Sequence, residues 1–377
     1  MPQNKKHHYV PRFYLKRFSK NKKSINIFNL PSKRKILSAS LKDQCHKKYF
    51  YGEESDVEKA LSDLESEAAR VFHQIDHSET LPTPNTFEYE MLFVHMLIQY
   101  GRTAYMADAI EEMAGKAIKC LFHNNLEEYQ LDFDQFKIGL EEPGKSSLAI
   151  TAQQLPFVLD LECKLVINRT SEDFVTSDNP VGMYNQLLSF RKFGSNIGLA
   201  CRGLQIFLPI SPDKYLLFFD PEVYRIGNQN RPSLVVSEES DVYQLNTLQM
   251  CAAAENVYFF NSAMNINALH RKAAPYLRSR KANVNVFCGY DMGEHKRELL
   301  RTSLEDIRTN LTLSFVKLTH GAKRWKKEFC TQDVQPATIV RNQQLCEEDN
   351  RFRKKVAAGE YRPSDFLLYL KERFGSN

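Results

Sequence analysis

Residues 201–220 read CRGLQIFLPISPDKYLLFFD. Two runs rich in Leu, Ile and Phe flank Ser-Pro-Asp, a group of turn residues. Apolar runs of this length, bounded by turn formers, predict buried strands rather than half-exposed ones. CKLVINR (163–169) and DFVTSD (173–178) are of the same kind. Short β-rich runs separated by Asn, Gly, Pro and Asp predict a sheet of mainly antiparallel type in the middle of the chain.

Outward from this block the pattern is helical. Val57, Leu61, Leu64, Ala68 and Val71 recur at three- and four-residue spacing, which predicts a helix from a Ser55 cap to about His77. TLPTPNT (80–86) breaks it. Residues 86–122 then read as a long apolar helix or a helix pair, and EEPGKSS (141–147) precedes another helix near 147–160. After the sheet, SDVYQLNTLQMCAAAENVYFFNS (240–262) returns to helix, residues 264–320 read as helix, strand and helix, and PSDFLLYLKERF (363–374) as a short amphipathic helix. Residues 1–52 read as extended, with strands at SINIFNL (24–30) and RKILSAS (34–40). The expected fold is α+β: an N-terminal extended arm and helices packed on a central, mainly antiparallel sheet, with further helices after it. Residues 1–320 are expected to form a single domain, and 321–377 a basic C-terminal extension with a short terminal helix.

Of the 377 residues 42% are hydrophobic and 26% charged, the balance of an ordinary folded protein. The net charge of +5 is small, but its distribution is uneven. From Lys5 to Lys48 the only acid is Asp43, and KRWKKEF (323–329) forms a second basic run. Such segregation marks either a phosphate-facing surface or a solvated face. No run approaches the roughly 18 apolar residues of a membrane span, and the N-terminal cations precede no apolar run, so a secretory signal is not expected. The 8 cysteines form no C-x-x-C pair. Neither a disulfide framework nor a zinc ribbon is indicated, and a cytoplasmic protein with reduced thiols is expected.

HHYVPRFYLKRF (7–18) carries the densest chemistry. On an extended segment His8, Arg12 and Tyr14 share one face, placing a proton-transfer group beside a planar anion-binding fork; His7 points the other way. Pro11 is expected to hold Val10 extended. Gln99 and Arg102 lie three apart at the end of an apolar helix and need partners if buried, Asp178 being the obvious one. Arg102 is then either a structural ion pair or a phosphate clamp. FVTSDNPV (174–181) reads as a buried strand ending in a polar turn, where Asp178 is either an Asx-turn residue or a metal ligand or general base. Ser177 lacks a Gly-x-Ser-x-Gly elbow, and there is no Gly-rich phosphate loop or dinucleotide fingerprint. His73 and His77, at i and i+4, and Cys120 with His123 are half-sites without a third ligand. HHYVP is similar to the start of some ββα-metal nucleases. Asn26 or Asn29 and His46 stand in the order those sites need, yet the segment around His46 does not read as the required helix.

KKHHYVPRFYLKRF resembles the opening signature of domain-of-unknown-function family 4238. SDLESEAARVF with its helical glutamate, MLIQYGRT with Gln-x-x-Arg, DFVTSDNPVGM, GLQIFLPISPDKYLLFF and YQLNTLQMCAAAENVYFF follow in the order that family shows, over roughly residues 5–262. The resemblance implies a fold relationship and a shared polar set, and no established activity.

Two functional readings follow from the residues. In the first, the protein is a phosphate-directed, nuclease-like enzyme acting on nucleic acid, with RNA the expected substrate. His8 or His7 serves as acid/base, and Arg12 and Arg102 hold the phosphate. Tyr14, Gln99 and Asn179 line the substrate site, while Asp178 either holds a divalent ion such as Mg or Mn, with Glu65 as a second carboxylate, or orients the histidine. In the second, it is a non-catalytic nucleic-acid- or protein-binding module whose polar set is structural. Convergence of His8, Arg12, Gln99, Arg102 and Asp178 on one water-accessible pocket favours the first; dispersal or mutual pairing favours the second.

Overall fold

The computed structural model describes residues 5–53, 56–126, 139–191, 196–277, 283–289, 297–303, 307, 309–331 and 338–374. The chain begins with β1 (Lys6–His8), helix α1 (Arg12–Lys16), the hairpin strands β2 (Ser24–Asn29) and β3 (Arg34–Ser40), and β4 (His46–Lys48). Four helices follow: α2 (Asp56–Ser78), α3 (Phe87–Gly101), α4 (Ala104–Leu126) and α5 (Pro143–Ala152). The central strands are β5 (Glu162–Asn168), β6 (Thr176–Ser177), β7 (Gly182–Tyr184), β8 (Gln205–Ser211), β9 (Lys214–Phe219), β10 (Tyr224–Ile226) and β11 (Ser233–Val236). After them come α6 (Glu239–Ala252), β12 (Asn256–Phe259), α7 (Ile266–Ala273), β13 (Asn283–Gly289), β14 (Arg297–Ser303), β15 (Val316–Leu318), α8 (His320–Cys330), α9 (Gln343–Ala357) and α10 (Phe366–Phe374).

The fold is α+β, as the sequence predicts. The largest sheet has the order β11-β5-β9-β8-β7, antiparallel except for the β11–β5 pair. The two runs quoted first are its neighbouring strands β8 and β9. Their residues divide by period two between two cores. Leu165, Ile206, Leu208, Leu216 and Phe218 face α2, α3 and the N-terminal segment, where they meet Phe72, Phe93, Tyr14 and Phe18. Val166, Phe207, Tyr215, Leu217 and Phe219 face α6 and α7, where they meet Leu245, Leu248 and Leu269. A sheet covered on both faces explains why these strands lack polar alternation.

A second sheet, β3-β2-β12-β6, is wholly antiparallel and joins the two ends of the family-like region. Here the sequence reading is corrected. AENVYFF (254–260) does not continue the helix: α6 ends at Ala253, which is extended (φ −58°, ψ 142°), and Asn256–Phe259 form a central strand. Val257, Tyr258 and Phe259 are strong strand formers buried on both sides.

The segment after Pro11 is also corrected. Arg12–Lys16 are helical rather than extended, with Pro11 as the N-cap residue at φ −61°. Proline lacks an N–H that the first turn leaves unpaired anyway, so it starts a helix as readily as it stops one. Val10, Tyr14, Leu15 and Phe18 are fully buried at this helical spacing, while Arg12 and Lys16 are exposed.

The predicted helix pair over 86–122 is α3 and α4, broken at Arg102–Thr103, and α3 is capped by Thr86. Ser55 lies outside the described residues. At the other end, Phe352, Phe366 and Tyr369 pack with Phe157. Arg341 fastens this segment to the body: it bonds both oxygens of Asp160 at 3.1 and 2.9 Å, the Cys201 carbonyl at 2.7 Å and the Leu199 carbonyl at 2.8 Å. Among the described residues no helix is long and apolar enough to cross a membrane.

Candidate functional site

The break between α3 and α4 leaves Arg102 as the last capping residue of α3, at φ −87° and ψ −1°. Its guanidinium is buried, and each of its three nitrogens donates a hydrogen bond. Nη1 donates to Glu65 Oε1 at 2.8 Å, Nη2 to the His8 carbonyl at 2.7 Å, and Nε to the Tyr51 hydroxyl at 3.2 Å. The Tyr51 ring lies 5.9 Å beneath the guanidinium carbon. One turn earlier, Gln99 Nε2 donates to the Tyr9 carbonyl at 3.2 Å. The Gln-x-x-Arg spacing therefore grips two successive carbonyls of the N-terminal segment from one helix face. The expected Arg102–Asp178 pair does not form; Glu65, from α2, takes that place.

His7 and His8 flank this grip. His7 stacks on Tyr51 (ring centroids 5.8 Å apart, 11° between planes), and its Nδ1 faces the Tyr51 N–H at 3.3 Å and Glu58 Oε1 at 3.9 Å. Burial raises the Glu58 carboxyl above its usual range. His8 Nδ1 donates to the Gln44 carbonyl at 3.0 Å, and burial lowers its pKa to about 4, so the ring is neutral near pH 7. His8 pairs across β1 and β4 with His46, ring centroids 5.6 Å apart. His46 is on a strand, not the helix a ββα-metal centre needs. Cys45 and Tyr49, on either side of β4, hold φ of +50° and +51°, a conformation that costs about 1 kcal/mol or more per residue.

The Thr-Ser-Asp-Asn-Pro element forms a second network. Asp178 Oδ1 accepts the Ala254 N–H at 2.8 Å; its Oδ2 accepts those of Glu255 and Asn256 at 2.8 and 3.0 Å. Burial pushes this carboxyl up to about 6 against the pull of the three N–H groups. Asn179 Nδ2 donates to the Ala252 carbonyl at 2.9 Å. Gln249 Nε2 donates to Ser177 Oγ at 2.6 Å, and Asn246 bonds the Val175 N–H and the Asp173 carbonyl, both at 2.9 Å. The Tyr14 hydroxyl lies 2.8 Å from Thr176 Oγ1 and donates to the Pro209 carbonyl. This motif thus stitches α6, the turn into β12 and α1 together.

The sequence-predicted residues accordingly separate. His7, His8, Glu65, Gln99 and Arg102 are brought together; Tyr14, Asp178 and Asn179 belong to the other network; Arg12 is at the surface. Asp178 and Glu65 are held by different partners on different elements and do not fit a shared divalent ion. Among the described residues no three His, Cys, Asp or Glu side chains are grouped to hold a metal. Cys120 and His123 lie outside the described side chains. Tyr51, Glu58, Asn246 and Gln249 were missed. For the last two, a signal was present: Asn246 and Gln249 lie three apart among Leu245, Leu248 and Met250, and amides buried there require partners.

A cleft of about 870 Å³ opens beside α1, between α2, the β8–β9 turn and the ends of β6 and β12. Phe13, Lys16, Arg17, Lys22, His73, Asp76, Asp173, Asp213, Lys214 and Phe260 line it. Arg17 holds Asp76 through two bonds of 2.7 Å, and Lys214 holds Asp213 at 2.6 Å. Among the described residues the side chains of Lys16, Lys22 and His73 make no hydrogen bond or ion pair. The sequence offers His73 only as half a metal site at a solvated helix end and leaves Lys16 and Lys22 in an undivided basic run; their grouping depends on Asp173, Asp213 and Phe260, far along the chain.

Neither a curated protein nor a solved structure matches the chain. Residues 6–263 match the family described as protein of unknown function (DUF4238), a span that takes in both buried networks and the cleft. That match covers most of the chain and all of the motifs just described, and the protein belongs to this family.

Proposed function

We propose that the protein binds nucleic acid, RNA foremost, through its N-terminal basic segment, as a module that holds the strand without cleaving it. The observation that carries this reading is a division of labour among polar residues. Arg102, Glu65 and Asp178, which a cleaving site would enlist, are bound to partners within the fold. The cations Lys5, Arg12, Lys16, Lys20, Lys22, Lys23, Lys33, Arg34 and Lys42 are exposed instead, in a stretch with Asp43 as its only acid. Exposed cations attract phosphate and release counterions, giving affinity that falls steeply with salt.

Fluorescence anisotropy with a labelled 20-nucleotide RNA tests this between 50 and 200 mM salt. Contact with four to six phosphates gives a slope of roughly −3 to −4 in log K against log salt for a single strand, and gels show intact RNA after hours. Absence of binding at 50 mM salt, or affinity indifferent to salt, overturns the reading. Shortened RNA, lost in an Arg102→Lys or Asp178→Asn variant that still folds, would return the enzyme reading.

A further inference from the structure

We infer that the cleft beside α1 receives one unpaired nucleotide of the bound strand, its phosphate at Lys16 and Lys22 and its base against Phe260. This deepens the nucleic-acid reading and rests on it. The argument begins from charge. Arg17 and Lys214 are neutralised in place by Asp76 and Asp213. What the cleft offers a ligand is therefore two ammonium groups, an imidazole and the Asp173 carboxylate. An inorganic anion would use only the cationic half. A nucleotide uses both, with its phosphate on the lysines and the N–H groups of its base directed to a carboxylate.

The walls suit a base. Phe260 is half-buried where the chain leaves β12, and Lys20 lies 5.4 Å from its ring centroid, so a cation adjoins this aromatic surface. Aromatic side chains interleaved with cations are how single strands are held without sequence readout. The volume of about 870 Å³ is that of a small-molecule pocket, which a stacked duplex cannot enter.

The test uses the full chain, a fluorescein-labelled 12-nucleotide RNA of mixed sequence, the corresponding duplex, and a free nucleoside monophosphate. Phe260→Leu keeps an apolar side chain and removes the ring; Lys16→Ala/Lys22→Ala removes both ammonium groups; Lys33→Ala/Arg34→Ala, at the start of β3, removes two cations of the same basic segment outside the cleft. Circular dichroism melting confirms folding. We expect the lysine pair to weaken single-strand binding at least tenfold and to flatten the salt slope by about 1.4. Phe260→Leu should weaken it about tenfold with the slope kept, and leave duplex binding unchanged. If Phe260→Leu does not fold, the lysine pair alone decides.

Cleft variants that bind like wild type, while Lys33→Ala/Arg34→Ala weakens binding, overturn the inference and leave the nucleic-acid reading standing. Wild type that binds no RNA ends both. Monophosphate bound as tightly as the 12-mer overturns the strand assignment, making the cleft a site for free nucleotides.

Discussion

The Arg102 guanidinium donates to the carbonyl of His8 at 2.7 Å, tying the break between α3 and α4 to the strand that begins the fold. Its other prongs reach Glu65 and Tyr51. Lysine has one ammonium where arginine has a fork, so Arg102→Lys satisfies at most part of this set. Urea unfolding should show a loss of about 2 kcal/mol, while the folded variant binds RNA as wild type does. A variant of undiminished stability that has lost affinity would instead make Arg102 a phosphate ligand.

Asp178→Asn should also act through stability. Both carboxylate oxygens accept backbone N–H groups from residues 254–256, and asparagine replaces one of those oxygens with a donor. An ordinary Asx turn tolerates the exchange, but this one sets a donor against a donor. The expected loss is about 2 kcal/mol. Equal denaturation midpoints for variant and wild type would show that the turn into β12 holds without the carboxylate.

His95 should make the protein acid-labile. Its ring is buried among Phe13, Phe72 and Tyr14, Nε2 has no partner, and burial lowers its pKa to about 3. The unfolded chain takes up this proton near pH 6.5 and the folded chain does not. The stabilising contribution is therefore whole above pH 6.5 and is lost as pH falls toward 3. Between pH 7 and pH 5 this histidine costs about 2 kcal/mol. His95→Phe should remove that part of the pH dependence, seen by urea titration at both pH values; identical slopes in the two proteins would contradict it.

Removing residues 1–18 should prevent folding altogether. Val10, Tyr14, Leu15 and Phe18 are fully buried. Each contributes roughly 2 kcal/mol by burial, against a total stability of about 5–15 kcal/mol for a typical domain. The truncated chain should show no cooperative melting transition by circular dichroism. A sharp transition a few degrees below that of wild type would mean the segment is peripheral.

Local pattern determined much of this protein. Continuous apolar runs on either side of Pro212-Asp213 were enough for β8 and β9, because a strand buried on both faces has no reason to alternate. The 3–4 spacing of Val57 to Val71 was enough for α2, and two prolines in 80–86 for its end. Helix or strand at 254–260 was not decidable locally, since the segment's partners are β2, more than two hundred residues earlier, and β6. The same holds for the polar residues. Their types and spacing showed that Gln99, Arg102 and Asp178 need partners once buried, since an unpaired amide, guanidinium or carboxylate is costly away from water. Which partner each takes is a matter of distance in space. Only tertiary structure set Glu65 and the His8 carbonyl against Arg102, gave Asp178 the N–H groups of residues 254–256, and left Lys16, Lys22 and His73 facing one cleft.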